Sequence, residues 1–256
     1  MTTQPEIEVE LINYTSQAAE LLIYTKQTRL TLGKETRDKV YSMSPDEKMA
    51  ELDYMANTIP SSWEFVDYVF EIKNVSRAFT HQFVRTRTGS YAQQTMRMLE
   101  MEHFTYRIPP ELGKNQSPHL PEGHLEEEYC NTMKKIQSSY DYLIKAGARA
   151  EDARGVLPTN IHTNIIAKFN LRTMAELAKS RTGGRTQDEY VQVFNKMVDS
   201  VIEVHPWAEK FLFPVGRDTA QKLEEIIKKS TDAGVLTIEE AVEGKKAIDK
   251  LKKGEF

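Results

Sequence analysis

Cysteine is nearly missing from this chain. Of 256 residues only Cys130 carries a thiol, so no internal disulfide can form, and a cysteine-rich zinc site is excluded. A reducing compartment is the natural setting. No stretch approaches the roughly 18 apolar residues that span a bilayer. The first twenty residues lack the basic start and apolar run of a signal peptide. The expectation is a cytoplasmic protein with no membrane partner. Excess positive charge is missing too. Lys plus Arg is 34 against 38 Asp plus Glu, a net charge of −4. That argues against a general nucleic-acid coat, though not against a local basic cleft. Repeats and low-complexity tracts are lacking. No pair among the six histidines has zinc-like spacing with a carboxylate partner, so no metal is expected. His119 and His124 flank a Pro-rich loop, and His81 reads as a packed or surface residue.

What is there is a globular composition, 39% hydrophobic and 28% charged, long enough for one large domain or two small ones. Residues 6–12 alternate charged and apolar, as a half-buried strand does. Residues 16–31 read as a helix with Ala18, Leu21, Leu22 and Thr25 on one side. Ser44-Pro45-Asp46-Glu47 predicts a capped helix start, and Pro60 stops that helix soon after Thr58. Residues 65–73 form the clearest strand, with Val66, Tyr68, Phe70 and Ile72 on one face. A helix is expected over 74–84, a long amphipathic one over 123–147, an extended segment over 163–169, and helices over 171–180 and 187–204. Beyond Pro214 the chain turns Lys/Glu-rich. Residues 217–253 predict two short helices around Gly234, the second opened by a Thr237–Glu240 capping box. The division expected is a main domain over 1–214 and a C-terminal helical extension over 215–256.

The chemistry concentrates in two segments. FVRTRTGSYAQQTMRM, residues 83–98, packs Arg85, Arg87 and Arg97 among Ser90, Tyr91, Gln93, Gln94 and Thr95. Clustered guanidinium groups repel one another, which makes sense where anions are held, because Arg binds phosphate bidentately. Read alone, the cluster fits equally well a loop whose arginines pair with surface carboxylates. The second segment, residues 157–190, adds Asn160, Asn170, Arg172, Arg181, Arg185 and Gln187. Its Gly183-Gly184 is a chain break rather than a dinucleotide fingerprint, since no G-x-G-x-x-G follows a strand.

The spacing R-x-R-x-x-S-Y-x-x-Q-[ST]-x-R over 85–97, after an apolar helix carrying Gln82, resembles the signature of flavin-dependent thymidylate synthases. Leu157-Pro158-x-Asn160, Asn170-x-Arg172, Arg181, Gln187-x-Glu189 and His205-Pro206-Trp207 fall at family-like spacing, and Trp63-Glu64 matches the family's aromatic-Glu pair. The resemblance covers roughly 60–213 and leaves the terminal hairpin outside. It implies an α+β fold of the thymidylate synthase-complementing type. A central, mostly antiparallel sheet is flanked by long helices, with a C-terminal helical hairpin appended. It also implies a homotetramer with active sites shared between subunits, FAD as cofactor, and dUMP, methylenetetrahydrofolate and NADPH as substrates. The reaction implied is reductive methylation of dUMP without a cysteine nucleophile. Cys130, in a helical stretch with no cationic activator beside it, agrees with that.

Carried over position by position, Gln82, Arg97, Arg154 and Arg181 match residues that hold dUMP. Arg97 and Arg154 suit the phosphate, and Arg181 suits the uracil edge, where it can stabilise developing negative charge. Gln93, Gln94 and Thr95 complete the nucleotide set, Gln93 and Thr95 standing where the family usually has Glu and Ser. Arg181 and Thr95 are the residues assigned to catalysis. Arg85, Arg87, Asn170 and Arg172 match flavin-contacting positions. Three departures stand out there: Thr86 and Phe65 replace histidines, and Glu176 replaces an asparagine. Phe65 either stacks on a ring or belongs to the core. The departures leave open a related enzyme that hydroxymethylates or takes another pyrimidine nucleotide. A nucleotide- or RNA-binding protein without catalysis is the alternative outside enzymes, weakened by the acidic net charge.

Overall fold

The computed structural model describes residues 4–27, 33–58, 60–97, 101, 103–114, 119–181, 187–214 and 217–252. The chain opens with β1 (Glu8–Tyr14), α1 (Ala18–Gln27), α2 (Lys34–Tyr41) and α3 (Pro45–Ala56). A 3-10 turn, Pro60–Phe65, leads into β2 (Asp67–Ser76), α4 (Arg77–Phe83) and β3 (Ser90–Gln93). Next come α5 (His124–Lys145), α6 (Ala150–Ala153), a 3-10 turn at Arg154–Val156, and β4 (His162–Asn170). The chain continues through α7 (Leu171–Arg181), α8 (Asp188–Val204), α9 (Glu209–Leu212), α10 (Arg217–Asp232) and α11 (Ile238–Lys252). The strands make one antiparallel sheet in the order β1-β2-β4-β3. The chain divides into two compact units. One holds Met1–Val9 with Glu71–Ala167, the other Glu10–Phe70 with Lys168–Phe256.

Alternation builds the strands. Along β2, Tyr68, Phe70 and Ile72 have no exposed surface, and along β4 Thr163, Ile165, Ala167 and Phe169 are buried. Each large apolar side chain buried this way contributes about 1.5–3 kcal/mol. The expected helix start at residue 74 is displaced, because β2 runs on to Ser76. Asn74 takes a left-handed φ of 59°. Its backbone N–H donates to Asn164 Oδ1 at 3.1 Å and its Nδ2 to the Glu6 carbonyl at 2.8 Å. Asn tolerates that conformation because its side chain bonds locally. Ser76 then caps α4 by accepting from Phe79 N at 3.0 Å. β3 lies inside the Arg-rich segment, to which the sequence assigned no strand, and the first strand is shifted two residues onward, to 8–14.

Capping decides the helix starts. At α3, Glu47 N donates to Ser44 Oγ at 3.3 Å and Ser44 N donates to Glu47 Oε2 at 2.8 Å. Thr237 and Glu240 repeat the arrangement at α11. Between α10 and α11 the chain reverses at Gly234, whose φ of 69° favours glycine. The two helices pack on each other, burying Ala241 and Ile248. α2 is absent from the sequence reading because it is polar and buries only Val40, so no apolar stripe marks it. Residues 28–31 of the expected first helix lie outside the described residues. Within the second unit, α7 and α8 bury Leu171, Met174, Tyr190, Phe194 and Met197. Among the described residues no helix is long and apolar enough to cross a membrane.

Candidate active site

α4 carries Gln82 on its exposed side and delivers the chain into a turn that holds Arg85, Thr86 and Arg87. Phe83 is buried there, edge-on to Tyr91 with centroids 5.6 Å apart. The Tyr91 hydroxyl reaches the carbonyls of Phe83, at 3.0 Å, and Thr86, at 2.7 Å. That one phenol fixes the turn, so Arg85 and Arg87 project into solvent from a braced backbone. Two exposed guanidinium groups on one turn suit a pyrophosphate.

At the end of β3, Gln93 is half-buried and donates from Nε2 to Thr80 Oγ1 at 2.9 Å. Thr80 passes its own proton to the Arg77 carbonyl at 3.1 Å. A glutamate at 93 would compete for that hydroxyl proton, so the amide is what lets both bonds stand together. Gln94 is exposed, and its carbonyl accepts from Arg77 Nη2 at 2.7 Å. The Thr95 hydroxyl accepts from Arg97 N at 3.1 Å.

Arg97 and Arg154 meet at a single residue. Arg97 Nε donates to Glu151 Oε2 at 2.9 Å, and Arg154 Nε donates to the Glu151 carbonyl at 3.1 Å. Arg149 joins them, with Nη1 2.8 Å from Glu151 Oε1 and Nε 3.2 Å from Asp152 Oδ2. Arg77 lies behind. Burial first, and then the charge of Arg154, push its guanidinium below the usual value, and its Nε is buried without a hydrogen-bond partner. Sequence reasoning missed Arg77, Thr80, Arg149 and Glu151. The Glu151-x-x-Arg154 spacing was the available signal for Glu151.

The second unit holds the remaining positions. Asn170 Oδ1 accepts from Thr173 N at 2.8 Å and so starts α7. Arg172 stands between two acids, with Nη1 2.6 Å from Glu64 Oε1 and Nε 3.2 Å from Glu176 Oε1. Both carboxylates hold its guanidinium above the usual range. The upstream Trp63-Glu64 pair and the downstream Asn170-x-Arg172 block are thus physically joined. Trp63 is core, donating to the Met55 carbonyl at 3.3 Å and meeting Phe211 edge-on. Phe65 is 57% exposed, which removes the core alternative for it. Arg181 ends α7 over the ring of Tyr190, 5.0 Å from its centroid, and its Nε is buried with no partner. An orphaned guanidinium N–H is what an approaching carbonyl or anion would satisfy. Gly183, Gly184 and Arg185 lie outside the described residues.

The donor chemistry fits a flavin in part. Arg85 and Arg87 offer charge and Phe65 a stacking face, whereas Arg172 is already neutralised by Glu64 and Glu176. Cys130 packs in α5 against Tyr106, whose phenol is pushed up to about 12 by burial and then by the thiol. Among the described residues no group of three or more His, Cys, Asp or Glu is arranged to hold a metal ion.

Residues 10–207 match the family model of the thymidylate synthase complementing protein. The flavin-dependent thymidylate synthase of Saccharolobus solfataricus is 32% identical over 212 residues, covering 81% of this chain and 77% of that one. The enzyme of the same name from Clostridium tetani is 29% identical, covering 81% and 87%. Among solved structures, the UMP/dUMP methylase PolB from Streptomyces cacaoi, bound with 5-Br dUMP, superposes with a TM-score of 0.67 at 17% identity. It covers 80% of this chain and 94% of its own, and shares the fold. The sheet and a family match over most of the chain lead to one conclusion: this chain belongs to the thymidylate synthase complementing protein family, whose curated relatives are flavin-dependent thymidylate synthases.

Proposed function

We propose that this protein is a flavin-dependent thymidylate synthase, converting dUMP to dTMP with methylenetetrahydrofolate and NADPH, and that it works as a cytoplasmic homotetramer with shared sites. The observation that carries the reading is the meeting of Arg97 and Arg154 at Glu151, from segments more than fifty residues apart. Family membership supplies the reaction class.

In this reading Arg97 and Arg154 grip the nucleotide phosphate with charge-assisted hydrogen bonds. Gln82, Gln93 and Gln94 border the nucleoside. The Thr95 hydroxyl, held by the Arg97 N–H, presents its own proton to the substrate. Arg181 donates its unsatisfied Nε–H to a uracil oxygen. Negative charge builds there when the ring is made nucleophilic at C5, and a donor already fixed over Tyr190 costs little reorganisation at that moment. Arg85, Arg87, Asn170 and Arg172, with Thr86 and Glu176 beside them, border the flavin. When bound, FAD supplies the redox step that turns the transferred carbon into a methyl group. The Arg85–Arg87 turn keeps its shape through Tyr91, so the cofactor's charged groups meet preset cations.

Purified protein should be yellow. It should release the C5 hydrogen of dUMP into water when given methylenetetrahydrofolate and NADPH. Colourless protein that takes up no FAD and releases no hydrogen contradicts the reading. Gln93 favours one second reading, a related one-carbon transferase acting on another pyrimidine nucleotide, since an amide offers both donor and acceptor to the ring. Mass spectrometry of the products from dUMP, UMP and dCMP decides. A methyl on dUMP alone eliminates that second reading.

A further inference from the structure

We propose that Arg77 is a further phosphate-binding residue of the nucleotide site, the inner member of a set with Arg97 and Arg154. The inference rests on the nucleotide reading above and adds a residue that neither the signature nor its carry-over contains.

Arg77 follows the Ser76 cap as the first residue of α4. It is half-buried, and among the described residues no carboxylate pairs with it. Nη2 is used on the Gln94 carbonyl at 2.7 Å, while Nε is buried and has no partner. A buried donor without an acceptor is costly, and a buried cation beside another cation more so. Arg154 is that other cation, acting on Arg77 through its charge. A brace for Gln94 would explain Nη2 alone. It would explain neither the idle Nε nor the choice of a permanently charged side chain in this place.

The charge balance points the same way. Arg97, Arg149 and Arg154 gather at Glu151 and Asp152, and Arg77 feels the charge of Arg154. Of these four cations only Arg97 and Arg149 are bonded to the two carboxylates, while Arg154 and Arg77 hold backbone carbonyls, which leaves two positive charges. A phosphate monoester carries about −1.5 to −2 at neutral pH. Such a dianion would balance the cluster and offer acceptors to the idle Nε. Arg77 also grips the Gln94 carbonyl, next to Gln93 and Thr95. Phosphate held by Arg77 would therefore fix the register of the strand end that carries the nucleoside contacts.

The test compares dUMP with deoxyuridine, which lacks the phosphate, by titration calorimetry on the full chain as wild type, Arg77→Gln and Arg77→Lys. The expected result for Arg77→Gln is dUMP binding weakened about ten- to hundredfold, with deoxyuridine binding unchanged. Arg77→Lys should recover part of the loss, as a point charge without the fork. Inorganic phosphate should displace dUMP from the wild type at lower concentration than from Arg77→Gln. If Arg77→Gln does not fold, as read by circular dichroism, the dUMP-to-deoxyuridine affinity ratio of Arg77→Lys takes its place, and a ratio equal to wild type overturns the proposal. Equal weakening of both ligands, or of neither, also overturns it and leaves Arg77 as a brace. A wild type with no preference for dUMP over deoxyuridine overturns the nucleotide reading itself. A wild type whose preference survives loss of Arg77 overturns this inference alone.

Discussion

Around Glu151, Arg97 and Arg149 pair with two carboxylates while Arg154 takes only a backbone carbonyl and Arg77 feels the charge of Arg154, whereas in the other unit Arg172 stands alone between Glu64 and Glu176. The first neighbourhood has positive charge to spare. The second has negative charge to spare. The same side chain is thus primed for an anion in one place and satisfied in the other. An arginine's readiness to bind phosphate is set by its neighbours, not by its presence in a motif. Binding in the first region should weaken steeply with salt, while binding beside Arg172 should lean on stacking and shape.

The largest effect expected is at Arg181, whose buried Nε–H has no hydrogen-bond partner. Arg181→Gln should lower kcat by about 10²–10³-fold, the loss typical of one preset donor to a developing negative charge. Steady-state rates of C5 hydrogen release measure it, and a change confined to KM would show that Arg181 only binds. Next comes Arg154→Gln, which removes one spare cation from the first region. It should weaken dUMP about ten- to hundredfold and flatten the salt dependence of binding. A salt dependence equal to wild type would break the comparison on the first side.

Two substitutions probe the acid-rich side. Phe65→Ala should leave the melting temperature near wild type, because the ring is mostly in water, yet weaken FAD about tenfold if it stacks on the cofactor. Flavin fluorescence during titration reads this, and unchanged affinity removes Phe65 from the site. Glu176→Asn takes away one of the two carboxylates that occupy Arg172. FAD affinity should rise by about two- to fivefold, the scale of an exposed ion pair. A fall would mean that Glu176 orders Arg172 rather than competing for it.

The smallest effect concerns a histidine beside an arginine. His162 is pushed down to about 4, by burial first and then by the charge of Arg107. Unfolded, the ring titrates near 6.5. Between those values the unfolded chain holds more protons than the folded one. Folding stability contributed here is therefore complete above about pH 6.5 and drains away as pH falls toward 4. His162→Gln should flatten the melting temperature over that window, and identical pH profiles would deny the effect.

Much of the scaffold was legible in order of sequence because its causes are local. The two capping boxes, Ser44–Glu47 and Thr237–Glu240, lie within four residues, and the structure forms both. The alternation in β2 needs only neighbours two apart. β3 escaped because its four residues, Ser90–Gln93, include no large aliphatic side chain to mark an alternation, and α2 because a helix with one buried side chain has no stripe. The signature segments pointed to a set of candidate arginines by spacing alone. Arg77 stayed hidden, since a single arginine after a serine cap has no pattern.

By itself the sequence determined most of the elements, two helix caps and the family, because hydrogen bonds within a turn and apolar periodicity act between residues close along the chain. Only the tertiary structure decided which acid meets which arginine. Arg97 and Glu151, or Arg172 and Glu64, are partners across dozens of residues. Charge compensation depends on distance in space, and no local pattern records that distance.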